Sequence, residues 1–287
     1  MTKQDNHIKI TESPRESFQA CKHPLSTEQK ADYINILLKS NFDTIDIGSF
    51  VSSKAVPQLS DTAEILSKLN TDVKKSRVLV SIGNYKGAEK ACQYYIIDDI
   101  GFLFSVSPTF LKLNINSNTQ QALESIKKVN NLCLQNSKNQ IVNLCLAFGN
   151  PYGDKFHPDD VLNSVDKLQN LGIKTIVLAD TLACGDDKII KTVFQTCISN
   201  FPDIDFGFHL HSDSSTWHKK LNAAYKAGCR NFDSVILGLG GCPMSGKEMI
   251  NNLSTENLIS FCENNSISHA IKKEAIEAAI HKAKEIF

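Results

Sequence analysis

Eight times along the chain, a short run of β-branched and apolar residues is followed by a stretch of helical spacing, with no Gly/Ser-rich linker between repeats. The apolar runs span residues 8–13, 42–50, 77–84, 101–107, 140–150, 174–181, 206–212 and 232–241. Helices are predicted over residues 26–38, 62–69, from 86 onward, 120–134, 160–168, 188–198, 217–227 and 255–263. The first of these opens on a capping-box pattern, Ser26 with Gln29. Strands apolar on both faces and each followed by a helix belong to a parallel sheet covered by helices. Eight units favour a closed (β/α)8 TIM barrel over an open doubly wound sheet. A length of 287 residues suits such a barrel as a single domain over 1–287. The polar residues 1–7 are expected to be flexible, and the Ala-, Lys- and Glu-rich residues 267–287 to form an extra C-terminal helix, packed under the barrel or at a subunit contact.

Composition narrows the function by exclusion. Lys plus Arg number 31 and Asp plus Glu number 31, so there is no bulk charge to attract nucleic acid or an anionic membrane. An anionic substrate must be met by local groups. No apolar run approaches a membrane span. The nine cysteines show neither CxxC pairs nor the spacing of a secreted disulfide framework, which points to reduced thiols and a cytoplasmic location.

In barrels of this kind the site is built at the C-terminal ends of the strands, so reactive side chains should collect where each apolar run stops. They do: Arg15 and Glu16, Asp46, Asn84, Ser107, Asn150, Asp180 with Thr181, His209 with His211, and Cys242 all occupy such positions. The histidines flank Leu210 in FHLHS, so on a strand both imidazoles face one side and can share one metal ion. An isolated HxH is as readily a pair of hydrogen-bonded histidines at a strand end. A carboxylate from Glu16, two imidazoles and an amide oxygen would suit Mg²⁺, Mn²⁺ or Zn²⁺, with oxygen-preferring metals favoured because no thiolate is in the set. The loop GLGGCP at 238–243 lets backbone approach a ligand closely and presents one thiol, or simply closes the barrel. Asp180 could instead cap the helix that follows it, and Arg15 could form an ordinary ion pair.

In order, TESPRESFQ, GSFVSSKAVPQ, LADT, FHLHS and GLGGCP followed by NNLSTE resemble the 3-hydroxy-3-methylglutaryl-CoA lyase family of DRE-TIM metallolyases over nearly the whole chain. The resemblance implies a divalent metal, Mg²⁺ or Mn²⁺, held by Glu16, His209, His211 and Asn252, and an acyl-CoA substrate. It further implies that Arg15 stabilises an enolate, that Cys242 moves a proton, and that Asp46, Asp180 and His209 take part in catalysis. Gln19 and Ser107 are expected to touch substrate, and a homodimer is expected. The chain departs from the family pattern at two carboxylates: Glu16 stands in place of Asp, and Asp46 where many members have Glu. Charge type survives while reach changes. The other readings are a related aldolase or Claisen condensing enzyme, and a silent homologue that binds metal or acyl-CoA without turnover.

Overall fold

The computed structural model describes residues 6–241 and 250–287. Its strands are β1 (Lys9–Glu12), β2 (Thr44–Phe50), β3 (Arg77–Ile82), β4 (Asp99–Ser105), β5 (Asn139–Cys145), β6 (Thr175–Asp180), β7 (Asp205–Leu210) and β8 (Asn231–Ser234). They pair in parallel in chain order, and β8 returns to pair with β1, so the sheet is a closed barrel. Closure rules out the open doubly wound sheet.

Around the barrel lie α2 (Thr27–Leu37), α3 (Thr62–Ser67), α4 (Tyr85–Cys92), α6 (Thr119–Gln135), α7 (Pro158–Asn170), α8 (Asp187–Asn200), α9 (Trp217–Lys226) and α10 (Thr255–Asn264). Two further helices, α1 (Pro14–Ala20) and α5 (Pro108–Ile115), are too short to show apolar periodicity. Each begins with proline directly after a serine, Ser13 or Ser107, where the fixed φ of proline suits the first helical position.

Strand alternation sorts the side chains. Ile10, Ile45, Val78, Ile100, Val142, Ile176, Phe206 and Phe232 are fully buried among the helices. Their alternates face the lumen, where Leu79, Ile141 and Val177 form an apolar layer. The exception is in β2, whose register against β3 shifts between Asp46 and Gly48. This bulge lets both Asp46 and Ser49 line the central cavity. Gly48 then faces α3, where a Cβ would stand 2.7 Å from Thr62 Oγ1.

The expected C-terminal helix is present as α11 (Lys273–Ile286) and packs beside α2. Phe287 at its end meets Phe18 and Tyr33 at ring-centroid distances of 5.9 and 5.8 Å. Of the polar leader, residues 1–5 lie outside the described residues, whereas Asn6 and His7 are tied down through backbone and side-chain bonds to Ser268.

Candidate active site

A cavity of about 910 Å³ runs through the barrel, from Lys9, Arg77 and Asp205 at the N-terminal ends of the strands to the groups at their C-terminal ends. Arg15, Glu16, Gln19, Asp46, His209 and His211 all line it. The first three sit on α1, where Pro14 starts the helix straight from the end of β1 and so places the next two side chains over the barrel mouth. Arg15 donates from Nε to Asp46 Oδ2 at 2.7 Å and from an Nη to Glu16 Oε1 at 2.7 Å. Its other Nη reaches Gln19 Oε1 at 3.4 Å, so Gln19 supports the guanidinium as well as lining the cavity.

Burial opposes the charge on this triad, and the partners decide how far. For Glu16, Arg15 and the two imidazoles outweigh burial and hold the carboxyl below its ordinary range. For Asp46, burial wins over Arg15 and raises the carboxyl to about 6. Asp46 Oδ1 is buried without a hydrogen-bond partner. A carboxylate with one unengaged oxygen and a pKa near working pH is suited to accept a proton.

Across the mouth, β7 presents the two imidazoles. His209 Nδ1 lies 3.1 Å from Asp233 Oδ2, and His211 Nδ1 lies 2.7 Å from the carbonyl oxygen of Thr181. Both partners can only accept, so each ring carries its proton on Nδ1 and turns Nε2 inward. The two Nε2 atoms face one another at 3.0 Å. Two such lone pairs repel unless a proton or a metal cation lies between them. The Asp233 bond outweighs burial and raises the basicity of His209, whereas burial and then His209 push His211 down to about 4.

Asn252 pairs its backbone with His211, and its Nδ2 donates to Leu239 O at 2.8 Å, while Oδ1 is buried with no hydrogen bond. Two inward-facing imidazole nitrogens and an unengaged amide oxygen fit an oxygen- and nitrogen-liganded divalent cation. Among the described residues no three His, Cys, Asp or Glu side chains already stand in metal-holding geometry, and Glu16 Oε1 is hydrogen-bonded to Arg15. The glycine-rich loop closes over this corner. At Gly240, with φ of 87°, a Cβ would stand 2.9 Å from Glu16 O and 3.0 Å from Asn252 Nδ2. Only glycine lets the backbone pass there. Cys242, the next expected participant, lies outside the described residues.

Two expected participants are placed elsewhere. Asp180 follows Ala179 and precedes Thr181, both of which line the cavity, so strand alternation turns its carboxylate outward. There it accepts from Lys220 Nζ at 2.7 Å. Ser107 does not line the cavity: its hydroxyl caps α5 by accepting from Phe110 N at 3.0 Å and donates to Asp154 Oδ2 at 2.5 Å. Asp233, the residue behind His209, went unread in the sequence. The available signal was its alternation with the outward-facing Phe232.

A family model described as HMGL-like matches residues 8–281. The chain belongs to the HMGL-like family. Curated relatives include a hydroxymethylglutaryl-CoA lyase of Bacillus subtilis, 28% identical over 93% of this chain and 88% of its own length. A mitochondrial hydroxymethylglutaryl-CoA lyase of Macaca fascicularis is 29% identical over 89% of this chain and 78% of its own. Among solved structures, the Bacillus subtilis HMG-CoA lyase superposes with a TM-score of 0.92 at 27% identity, covering 98% of this chain and 94% of that one. An HMG-CoA lyase of Acinetobacter baumannii, in complex with coenzyme A and 3-methylmalate, gives 0.89 at 28% identity over 99% and 91%. No helix among the described residues is long and apolar enough to cross a membrane.

Proposed function

We propose that this protein is a carbon–carbon lyase that cleaves 3-hydroxy-3-methylglutaryl-CoA to acetyl-CoA and acetoacetate. The observation that carries the reading is the buried Arg15–Glu16–Asp46 triad facing the paired imidazoles of His209 and His211 across one cavity. Membership of the HMGL-like family supports the same substrate class. A divalent cation, Mg²⁺ or Mn²⁺, held by His209, His211 and Asn252 with Glu16, would make the tertiary hydroxyl more acidic and orient the acyl group.

The remaining work falls to the chain's own groups. Asp46 Oδ1 takes the hydroxyl proton, since that oxygen is unengaged and its carboxyl is raised to about 6. As the C2–C3 bond breaks, C3 becomes the ketone carbon of acetoacetate and the electron pair passes to the thioester as an enolate. Arg15, anchored on both sides by carboxylates, offers its guanidinium to the charge developing on the thioester oxygen. A proton from the thiol of Cys242, next in sequence after Gly241, then passes to the enolate carbon to give acetyl-CoA. Cys21, Cys92, Cys133, Cys184, Cys197, Cys229 and Cys262 carry free thiols, in keeping with a reducing cytoplasm.

The competing reading, a homologue that binds a metal or acyl-CoA without turnover, is not favoured by the match to the HMGL-like family. A coupled assay for acetoacetate with purified protein and added Mg²⁺ separates the two. The lyase reading requires release that a chelator abolishes and Mn²⁺ restores. Absence of release at high enzyme concentration establishes the silent homologue.

A further inference from the structure

We propose that Lys220 is a positioning residue for His211, acting through the turn of residues 180–185 that follows β6. Lys220 comes from α9 and is almost entirely buried, at 5% exposure. Its ammonium donates to Asp180 Oδ2 at 2.7 Å and to the carbonyl of Ala183 at 3.0 Å. The other carboxylate oxygen of Asp180 accepts from Gly185 N at 3.0 Å. One cation therefore holds the first side chain of the turn and its middle carbonyl, and the carboxylate it neutralises holds the last amide. A clamp is needed because Ala183 sits at φ 55°, a left-handed conformation that a residue with a Cβ does not keep unaided.

What the turn carries is Thr181. Its hydroxyl accepts from Leu146 N at 3.1 Å, and its carbonyl accepts from His211 Nδ1 at 2.7 Å. That carbonyl keeps the His211 proton on Nδ1 and leaves the Nε2 lone pair facing His209. Without the Lys220 cation, Asp180 becomes a buried charge with no counterion and the Ala183 carbonyl loses its donor. The turn rearranges to solvate both, and Thr181 moves with it. The imidazole then loses the contact that selects its tautomer.

The test uses the whole chain and two readouts, the second of which rests on the metal reading proposed above. Selectively ¹⁵N-histidine-labelled, metal-free protein is examined by long-range ¹H–¹⁵N NMR, and Mn²⁺ binding is measured by calorimetry. In the wild type His211 is a single Nδ1–H tautomer; in Lys220→Met it becomes a mixture with Nε2–H, and Mn²⁺ affinity falls about tenfold. Lys220→Arg keeps a cation and restores the wild-type tautomer. The control is Lys30→Met, which removes a second buried lysine, bonded to Asp61 and Gln58 O rather than to the 180–185 turn. It leaves the tautomer unchanged and Mn²⁺ affinity within about twofold. If Lys220→Met does not fold, Asp180→Asn/Lys220→Met removes both buried charges together, and the same mixture of tautomers is expected. A wild-type tautomer in the folded Lys220 variant overturns the proposal, as does an equal change in Lys30→Met, which would be general loosening. A tautomer change as described, in a protein whose wild type binds no Mn²⁺, supports the positioning role and sinks the metal reading instead.

Discussion

At Arg15 the charge balance of the site is decided by side-chain length. The guanidinium meets Asp46 and Glu16 at 2.7 Å each, although one carboxylate is a methylene longer and the other a methylene shorter than the family pattern. Because Arg15 bridges the two, their lengths should be coupled. Glu16→Gln leaves Asp46 alone against the guanidinium and is expected to lower kcat/KM more than ~100-fold, or about 2.7 kcal/mol. Glu16→Asp keeps the charge and should cost on the order of tenfold. Adding Asp46→Glu should recover most of that loss, with a coupling of ~0.5–3 kcal/mol in the double-mutant cycle. Additive losses would show that the carboxylates act separately. Asp233 is the other residue to probe, since it fixes His209 from behind, at 3.1 Å. Asp233→Asn is predicted to weaken Mn²⁺ binding ~10–100-fold by calorimetry while leaving the fold intact.

At the level of elements, α5 distinguishes a capping serine from a substrate contact. Ser107 accepts from Phe110 N and donates to Asp154, and a Ser-Pro pair is a helix-start signal readable in sequence. Ser107→Ala should therefore cost ~1 kcal/mol of stability, a fall of about 2 °C in Tm, with KM for the acyl-CoA unchanged. A several-fold rise in KM at constant Tm would return the residue to the binding site. The same reading applies to α1, whose Ser13-Pro14 start puts Arg15 and Glu16 over the barrel mouth.

At the scale of the whole barrel, a buried carboxyl adds to the β1–β8 ladder that closes it. Glu12 at the end of β1 accepts from Ile236 N at 2.8 Å, just beyond β8, and from Thr255 Oγ1 at 2.5 Å, at the start of α10. Burial, only partly offset by these bonds, raises its pKa from 4.5 to about 8. In the folded protein Glu12 thus keeps its proton in a range where the unfolded chain has lost it. Its contribution is complete below about pH 4.5 and is lost as pH rises to about 8, at a slope of at most ~1.4 kcal/mol per pH unit. Glu12→Gln keeps the shape and removes the proton. Urea unfolding at pH 5.5, 7 and 8.5 should show the variant gaining on the wild type as pH rises. Parallel curves for the two proteins would mean that Glu12 is not the titrating group.

The eightfold alternation of apolar runs and helical stretches favoured a closed parallel barrel, because eight strands buried on both faces can close without edges, and the pairing of β8 with β1 decided it against the open doubly wound sheet. Alternation within each run also marked which side chains face the lumen, and this is how His209 and His211 came to share a side. Applied to β6, the same rule would have turned Asp180 outward; its place at the end of the apolar run, together with the resemblance, had put it in the site. Two features lay beyond any reading of local period, the bulge that brings Asp46 and Ser49 to one cavity and the capture of Asp180 by Lys220 forty positions along the chain; for Asp233, alternation marks the inward side but not His209 as its partner. Periodicity is a property of neighbours in sequence, whereas the partner of a buried charge is chosen by barrel closure, which brings groups from different strands and helices within bonding distance.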